Sequence, residues 1–414
     1  MNIVIFGHNP KDAYSGGRYH AWMMAEALSI AGYKVYYVTD NKPLFMSDFA
    51  CFPKHGEVEL FITPNWGQVS EMRADIVIVI PTLFQKLDFY HSALVFAKKN
   101  KARVVLLNFE TPNWFNEFAP EKRDPGLWNG WRYVARYSTL ILSSTQEGNK
   151  YAMDFYDSCC RTTVFDYCYP SINNIVADAV NGVGKEKRIV LITRFVGSVH
   201  KGGYYLSKLF CEAMEGYKVV LILGNGDVPG QLWTEIEASA KRYGIMVELK
   251  KKLSDYEKFR EIYRSRLMLF PSFFEGFGYP PVEAQYCNVP CVAFDLPVLR
   301  EVSGNGIEYV KIGDWEGFRC KVGQILHGDV KSDNLRANVE DFATVESYAF
   351  RLRRVMERVM ETEPVPLDDL PAKITRSSES RGRFGRLRMK VHNVIRGYAH
   401  FVKSWRDLYR KKFL

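Results

Sequence analysis

The stretch "LMLFPSFFEGFGYPPVEAQYCNVPCVAFD", residues 267–295, opens and closes on apolar runs and turns between them through two glycines and two prolines. "LMLF" and "PCVAFD" read as strands buried on both faces, and "PPVEAQYCN" as a helix joining them, which makes a βαβ unit with parallel strands. Pro280 and Pro281 suit the first helical positions, where a missing N–H costs nothing. Gly276 and Gly278 let the backbone turn sharply and expose its amides. Glu275 falls in the loop and Glu283 is expected in the first helical turn. A helix N-terminus is an anion site, so carboxylates placed beside one point to a ligand that also carries hydroxyls.

The same rhythm extends outward in both directions. "NIVIFG", "YKVYYVTD", "DIVIVI", "ARVVLLNF" and "STLILSS" read as strands, with the helix "YHAWMMAEALSIAG" after the first. A second series starts near 188 with "RIVLITRF", "YYLSKLFCEAM" as a helix, "YKVVLILGNGD", "IEASAKRYG" as a helix, "MVELKK" and the helix "DYEKFREIYRSR". Residues 173–187 are polar and glycine-bearing and read as the linker. The expected organisation is an N-terminal Rossmann-like domain at 1–175, a C-terminal one at 186–343, a closing helix at 344–362 that crosses back, and a tail at 372–414. Two such halves leave a cleft, and ligands bind at the carboxyl ends of the strands.

Composition sets the class. The 414 residues are 47% hydrophobic and 25% charged, a globular balance. The longest apolar runs are too short to span a bilayer, and "MNIVIFGHN" reads as a first strand and not a signal peptide. None of the eight cysteines forms a C-x-x-C pair, so free thiols in a reducing compartment are expected.

Charge is concentrated. Of 56 Lys/Arg and 47 Asp/Glu, residues 371–414 hold thirteen bases and two acids, leaving 43 bases against 45 acids in the rest. Within 384–414, Phe384, Leu387, Val391, Val394, Tyr398, Phe401, Trp405 and Leu408 recur at helical steps. A basic, aromatic, amphipathic helix reads as an anionic-membrane binder; docking on the body or a coiled-coil seam are the plainer readings. Nothing in the body supports nucleic acid as a partner.

The segment 273–302 resembles the E-x7-E signature of retaining nucleotide-sugar glycosyltransferases of the family-four type, which have the GT-B fold: two Rossmann-like domains facing across a cleft. "YSGGRYHAWMMAEALSIAGYKVYYVT" is similar to that family's glycine loop, helix and second strand. "ITRFVGSVHKGGYYL" resembles the segment opening its second half, and "LILGNGD" its glycine turn near the base, at Gly224. The resemblance covers roughly residues 1–360.

It implies roles. Glu275, with the amides of Gly276, Phe277 and Gly278, would contact the donor sugar, and Glu283 the ribose hydroxyls. Arg194 and Lys201 would grip the diphosphate, and Gly16 and Gly17 would bring amides to the phosphates from the other domain. Fixed cations and dipoles of this kind stabilise a departing diphosphate where its charge develops. No D-x-D occurs, so no metal is expected and Arg194 and Lys201 would do its work. His200 is expected to be structural. The family's mid-domain histidine is absent from "LLNFETPNWF" (106–115), leaving Asn108 or Glu110 at that place.

Plainer readings exist for each residue: a first-turn acid favoured by the helix dipole for Glu283, an exposed loop acid for Glu275, a surface salt bridge for Arg194. A glycosidase pair is rejected, since Glu275 and Glu283 sit on one short segment and cannot flank one bond. The aromatics of 111–137, including Trp114, Phe115, Phe118, Trp128 and Trp131, read either as an acceptor platform or as packing against the first sheet. The resulting expectation is a cytoplasmic glycosyltransferase, peripheral on the inner face of the cell membrane. It would move a sugar from a nucleotide donor to a glycan or lipid-linked acceptor in envelope polysaccharide or glycolipid synthesis. A nucleotide-sugar epimerase on the same fold and a non-catalytic membrane-associated scaffold are the alternatives.

Overall fold

The computed structural model describes residues 1–372 apart from 12–13, 51, 53–57, 70, 84, 161, 196–197 and 329–333. The tail read at 372–414 lies, past its first residue, outside the described residues, and so does the apolar stripe at 384–414.

Two parallel sheets organise the chain. The first contains β1 (Asn2–Gly7), β2 (Lys34–Thr39), β3 (Val58–Ile62), β4 (Ile76–Ile80), β5 (Arg103–Asn108), β6 (Leu140–Ser143) and β7 (Val164–Tyr167) in the order β3-β2-β1-β4-β5-β6-β7. The second contains β8 (Arg188–Thr193), β9 (Lys218–Leu223), β10 (Met246–Lys251), β11 (Leu267–Phe270), β12 (Cys291–Phe294) and β13 (Glu308–Val310) in the order β10-β9-β8-β11-β12-β13. Both orders reverse direction once, between β1 and β4 and between β8 and β11. Neighbouring loops there leave on opposite sides and open a crevice.

The continuous apolar strands are explained by burial on both faces. Ile3 and Ile5 of β1 join one core with α1 (Gly16–Ile30), while Val4 and Phe6 join the opposite core with α2 (Leu87–Asn100) and α4 (Asn129–Ala135). In the second sheet Val190 faces α8 (Asp255–Arg264) and α9 (Tyr279–Tyr286), and Leu191 faces α7 (Gly230–Arg242) and α11 (Trp315–Leu326). The remaining helices are α3 (Pro112–Phe118), α5 (Gln146–Tyr156), α6 (Asn174–Ala179), α10 (Pro297–Ser303), α12 (Glu340–Ala343) and α13 (Val345–Glu361).

Helix α13 crosses back to the first sheet. Its Tyr348, Leu352, Val355, Met356 and Val359 are buried in the same core as α1. The 173–187 stretch is not all linker, since α6 packs there with Ala177 in the core shared with α8. "YYLSKLFCEAM" forms two 3-10 segments, Gly203–Lys208 and Glu212–Met214, and not an α-helix. Its spacing of three and four buries Leu206, Leu209, Phe210 and Met214 in either geometry, so periodicity did not distinguish them.

Candidate active site in the interlobe crevice

The second sheet's reversal places two loops side by side. Arg194 directly follows β8, and Lys201 ends the 3-10 turn Val199–Lys201. Gly202 then turns at φ +73°, where a Cβ would lie 2.0 Å from the carbonyl oxygen of Pro271. Only glycine permits that approach, and it seats the loop after β8 against the loop after β11. Lys201 Nζ consequently reaches Glu275 Oε2 at 2.7 Å and the Phe274 carbonyl at 3.4 Å. Glu275 is 8% exposed.

Both cations are partly stripped of water. Burial lowers the Lys201 ammonium, with Glu275 pulling it back up and Arg194 adding to the fall. Burial, and then Arg123, lowers the Arg194 guanidinium. Arg194 Nε is buried and has no hydrogen-bond partner among the described residues. Buried donors are normally satisfied, and this one sits beside an ion pair in the crevice.

The first lobe supplies charges to the same place. Glu110, just past β5, pairs with Arg123 at 2.8 Å, and both act on Arg194 electrostatically. Glu121 bonds His200 Nδ1 and accepts the His200 amide at 3.3 Å. His200 is 2% exposed, lies against Phe115 and is held neutral: burial first, then Lys201, push its pKa well down. Asn108, in contrast, is spent on the first lobe's interior, bonding Ser143 Oγ at 3.1 Å and Tyr156 at 3.4 Å.

Glu283 occupies a second cluster. It is the fifth residue of α9, whose N-cap is Gly278 with φ +94°, so it lies beyond the first turn and the helix-dipole reading does not apply. Its Oε1 accepts from Lys258 Nζ at 2.6 Å, and the same ammonium donates to Asp255 Oδ1 at 2.7 Å. Asp255 Oδ2 accepts from Asn173 Nδ2 at 2.9 Å and from the Tyr19 hydroxyl of α1 at 2.5 Å. Burial raises the Glu283 carboxyl, with Lys258 opposing. Burial works against the Lys258 charge, yet Asp255 and Glu283 outweigh it and raise its pKa.

The glycines divide in the same way. A Cβ on Gly276 would stand 2.4 Å from the Phe109 carbonyl oxygen, and Thr145 Oγ1 donates to the Gly276 carbonyl at 3.3 Å, so Gly276 is gripped by the first lobe. Phe277 points its ring into the core against Tyr279 and Phe342. Gly16 and Gly17 are the first residues of α1, where amides have no acceptor within the helix. Gly224 follows β9 and lies under Tyr14, 3.5 Å from the place its own Cβ would take.

The aromatic stretch packs and is not displayed. Trp114, Phe115, Trp128 and Trp131 are all buried. Trp114 and Phe115 hold the Phe274 ring between them at centroid distances of 5.1 and 5.0 Å, closing the lobes beside Glu275. Sequence reasoning missed Tyr14, Tyr19, Glu121, Arg123, Asp255 and Lys258. Only Asp255 and Lys258, three apart on a helix, carried a local signal. Among the described residues no group of three or more His, Cys, Asp or Glu could hold a metal ion, and no helix is long and apolar enough to cross a membrane.

Comparison with known proteins agrees with this layout. Residues 177–342 match the model of the glycosyl transferases group 1 family. The O-antigen chain mannosyltransferase RfbU of Salmonella typhimurium is 27% identical over 117 residues, 27% of this chain and 31% of that protein. The chain thus spans about a third of the length of that curated relative. Anabaena HepE, solved with UDP and glucose, superposes with a TM-score of 0.65 at 14% identity, covering 86% of this chain and 100% of that one. The sucrose-phosphate synthase of Thermosynechococcus elongatus gives 0.64 at 14% identity, covering 87% and 99%. The match to the glycosyl transferases group 1 family thus covers the second lobe, and the chain as a whole has the two-lobed GT-B fold of these solved structures.

Proposed function

We propose that this chain is a retaining glycosyltransferase that moves a hexose from a nucleoside-diphosphate sugar to a glycan or lipid-linked acceptor of envelope polysaccharide. The observation that carries the reading is the meeting of Arg194, Lys201 and Glu275 at the β8–β11 reversal, with a buried guanidinium nitrogen left unpartnered. A diphosphate supplies the missing acceptor. Arg194 and Lys201 neutralise the charge that grows on the leaving phosphate, so no metal is assigned to the reaction. Glu275, released by Lys201 to the phosphate, accepts from sugar hydroxyls, and Glu283 from the ribose. The RfbU likeness favours a glycan acceptor.

The test is donor turnover. Nucleoside diphosphate release is measured with UDP-, GDP- and ADP-hexoses, with added lipid-linked glycan and with water alone. Lys201→Ala is expected to lower the rate about 10²–10³-fold. Glu275→Gln is expected to abolish transfer while nucleoside diphosphate still raises the melting temperature. A Glu275→Gln variant with wild-type turnover sinks the assignment.

The tail's sequence supports a location on the cytoplasmic face of the membrane, with each base worth about 1 kcal/mol near an anionic leaflet. Flotation with phosphatidylglycerol vesicles checks this. Full-length protein in which Lys403, Arg406, Arg410, Lys411 and Lys412 are changed to Glu should stay at the bottom of the gradient. Unaltered flotation refutes the location.

A further inference from the structure

The second cluster holds one ammonium between two buried carboxylates, and the way its bonds are shared is informative. Asp255 is 1% exposed and Glu283 3%. Lys258 bridges Asp255 Oδ1 and Glu283 Oε1, while Asp255 Oδ2 is already shared by Tyr19 and Asn173. Three of the four carboxylate oxygens are thus taken. The fourth, Glu283 Oε2, forms no hydrogen bond among the described residues.

We propose that Lys258 is a positioning residue for donor recognition: it fixes Glu283 so that Oε2 alone is presented as an acceptor for a ribose hydroxyl of the nucleotide. This rests on the donor reading above and adds to it the residue that sets hydroxyl selectivity. A carboxylate with both oxygens free can rotate and be satisfied by water. One clamped at Oε1 offers a single acceptor in a fixed place, and a site built around that acceptor disfavours a ligand lacking the matching hydroxyl.

Lys258 is itself fixed. It is 12% exposed at the side chain, with its ammonium 5.4 Å from the Tyr19 ring centre and 4.6 Å from that of Phe259. Since Tyr19 belongs to α1 and Asp255 to α8, the clamp assembles fully when the lobes are together.

The surroundings make the ammonium necessary. The titratable groups around the cluster are Tyr14 from the loop after β1, Tyr19 from α1, Asp48 after β2, Tyr279 from α9 and Cys287 after it. None of these is a cation. Asp48 is pushed up to about 6, by burial first and then by Asp255. Without Lys258 the site holds buried acids and no counter-charge, so burial pushes the Glu283 carboxyl further toward its protonated form, which no longer presents a charged acceptor.

The experiment compares binding of UDP, GDP and ADP with their 2′-deoxy and 3′-deoxy counterparts by calorimetry between pH 6 and 9. Wild type is expected to prefer one ribonucleotide over its deoxy form by about tenfold or more. Lys258→Met should lower that ratio, and the loss should shrink as pH rises. Lys258→Arg should keep it throughout. Should Lys258→Met not fold, Lys258→Gln, which keeps a polar side chain without the charge, gives the same reading. A Lys258→Met or Lys258→Gln protein that keeps the full ratio overturns the inference alone. Wild type that binds no nucleotide overturns the donor reading and this inference together.

Discussion

Gly276→Ala isolates the contribution of lobe closure from that of the charged groups. Gly276 does not have positive φ, so alanine suffers no backbone strain there. Its methyl carbon would instead fall 2.4 Å from the Phe109 carbonyl oxygen of the opposite lobe. An ordinary C···O contact is about 3.3 Å, so the loop bearing Glu275 and the loop after β5 must part by about 0.9 Å. The obstructing atom is backbone and cannot rotate aside. A misplacement of about 1 Å costs on the order of 10² in rate, which predicts a kcat/KM about 100-fold below wild type. Nucleoside diphosphate affinity should change less than about threefold, because Arg194, Lys201 and Glu283 all lie on the second lobe. Product release assays give the first quantity and calorimetry the second. A variant within about threefold of wild-type kcat/KM would show that the Phe109–Gly276 approach does not matter to turnover.

Phe274→Ala removes the ring held by Trp114 and Phe115; a loss of about 3–5 kcal/mol is expected in urea unfolding, and less than 1 would mean that the rings do not fasten the lobes. Glu301 accepts the Gln146 and Glu147 amides at 2.6 and 2.8 Å, capping α5 from the other lobe. Glu301→Gln should cost about 1 kcal/mol at low salt and less at 1 M, and a salt-independent loss contradicts a charge-based cap. Burial pushes His20 down to about 3 from an ordinary 6.5, so only the unfolded chain binds its proton between those values. Stability is therefore complete above pH 6.5 and falls as pH drops, by up to about 1.4 kcal/mol per unit. His20→Gln should flatten that slope in denaturation series from pH 7 to 4, and an unchanged slope refutes the assignment.

The fold was legible because each sheet is built from local signals. Apolar runs such as 76–80 and 188–193 can only be strands buried on two faces, and glycines and prolines mark their ends. Three features were not legible. The short edge strands β3, β7 and β13 carry exposed or half-buried acids such as Glu59, Asp166 and Glu308, whose mixed polarity resembles loop. The 3-10 segments after Gly202 share their period with an α-helix. The fate of the 111–137 aromatics depended on which lobe they would meet, and Phe274, which Trp114 and Phe115 enclose, lies more than 150 positions away.

The candidate site divides along the same line. Arg194, Lys201, Glu275 and Glu283 could be picked out because strand, glycine turn and helix follow one another in sequence around them. Their partners come from far along the chain: Glu121 meets His200 across 79 positions and Tyr19 meets Asp255 across 236. These distant groups decide what the nearby ones can do. Around the first cluster Arg123, Arg194 and Lys201 face Glu110, Glu121 and Glu275, three charges of each sign, so an arriving anion must compete with carboxylates already in place. Around the second, Lys258 faces Asp255 and Glu283, leaving an excess of negative charge that repels a phosphate and suits hydroxyl donors. On the donor reading, the orientation of a nucleotide sugar in the crevice follows from this unequal charge balance, with the diphosphate directed to the balanced end and the ribose to the acidic one. No single motif encodes that asymmetry, because its terms are contributed by both lobes.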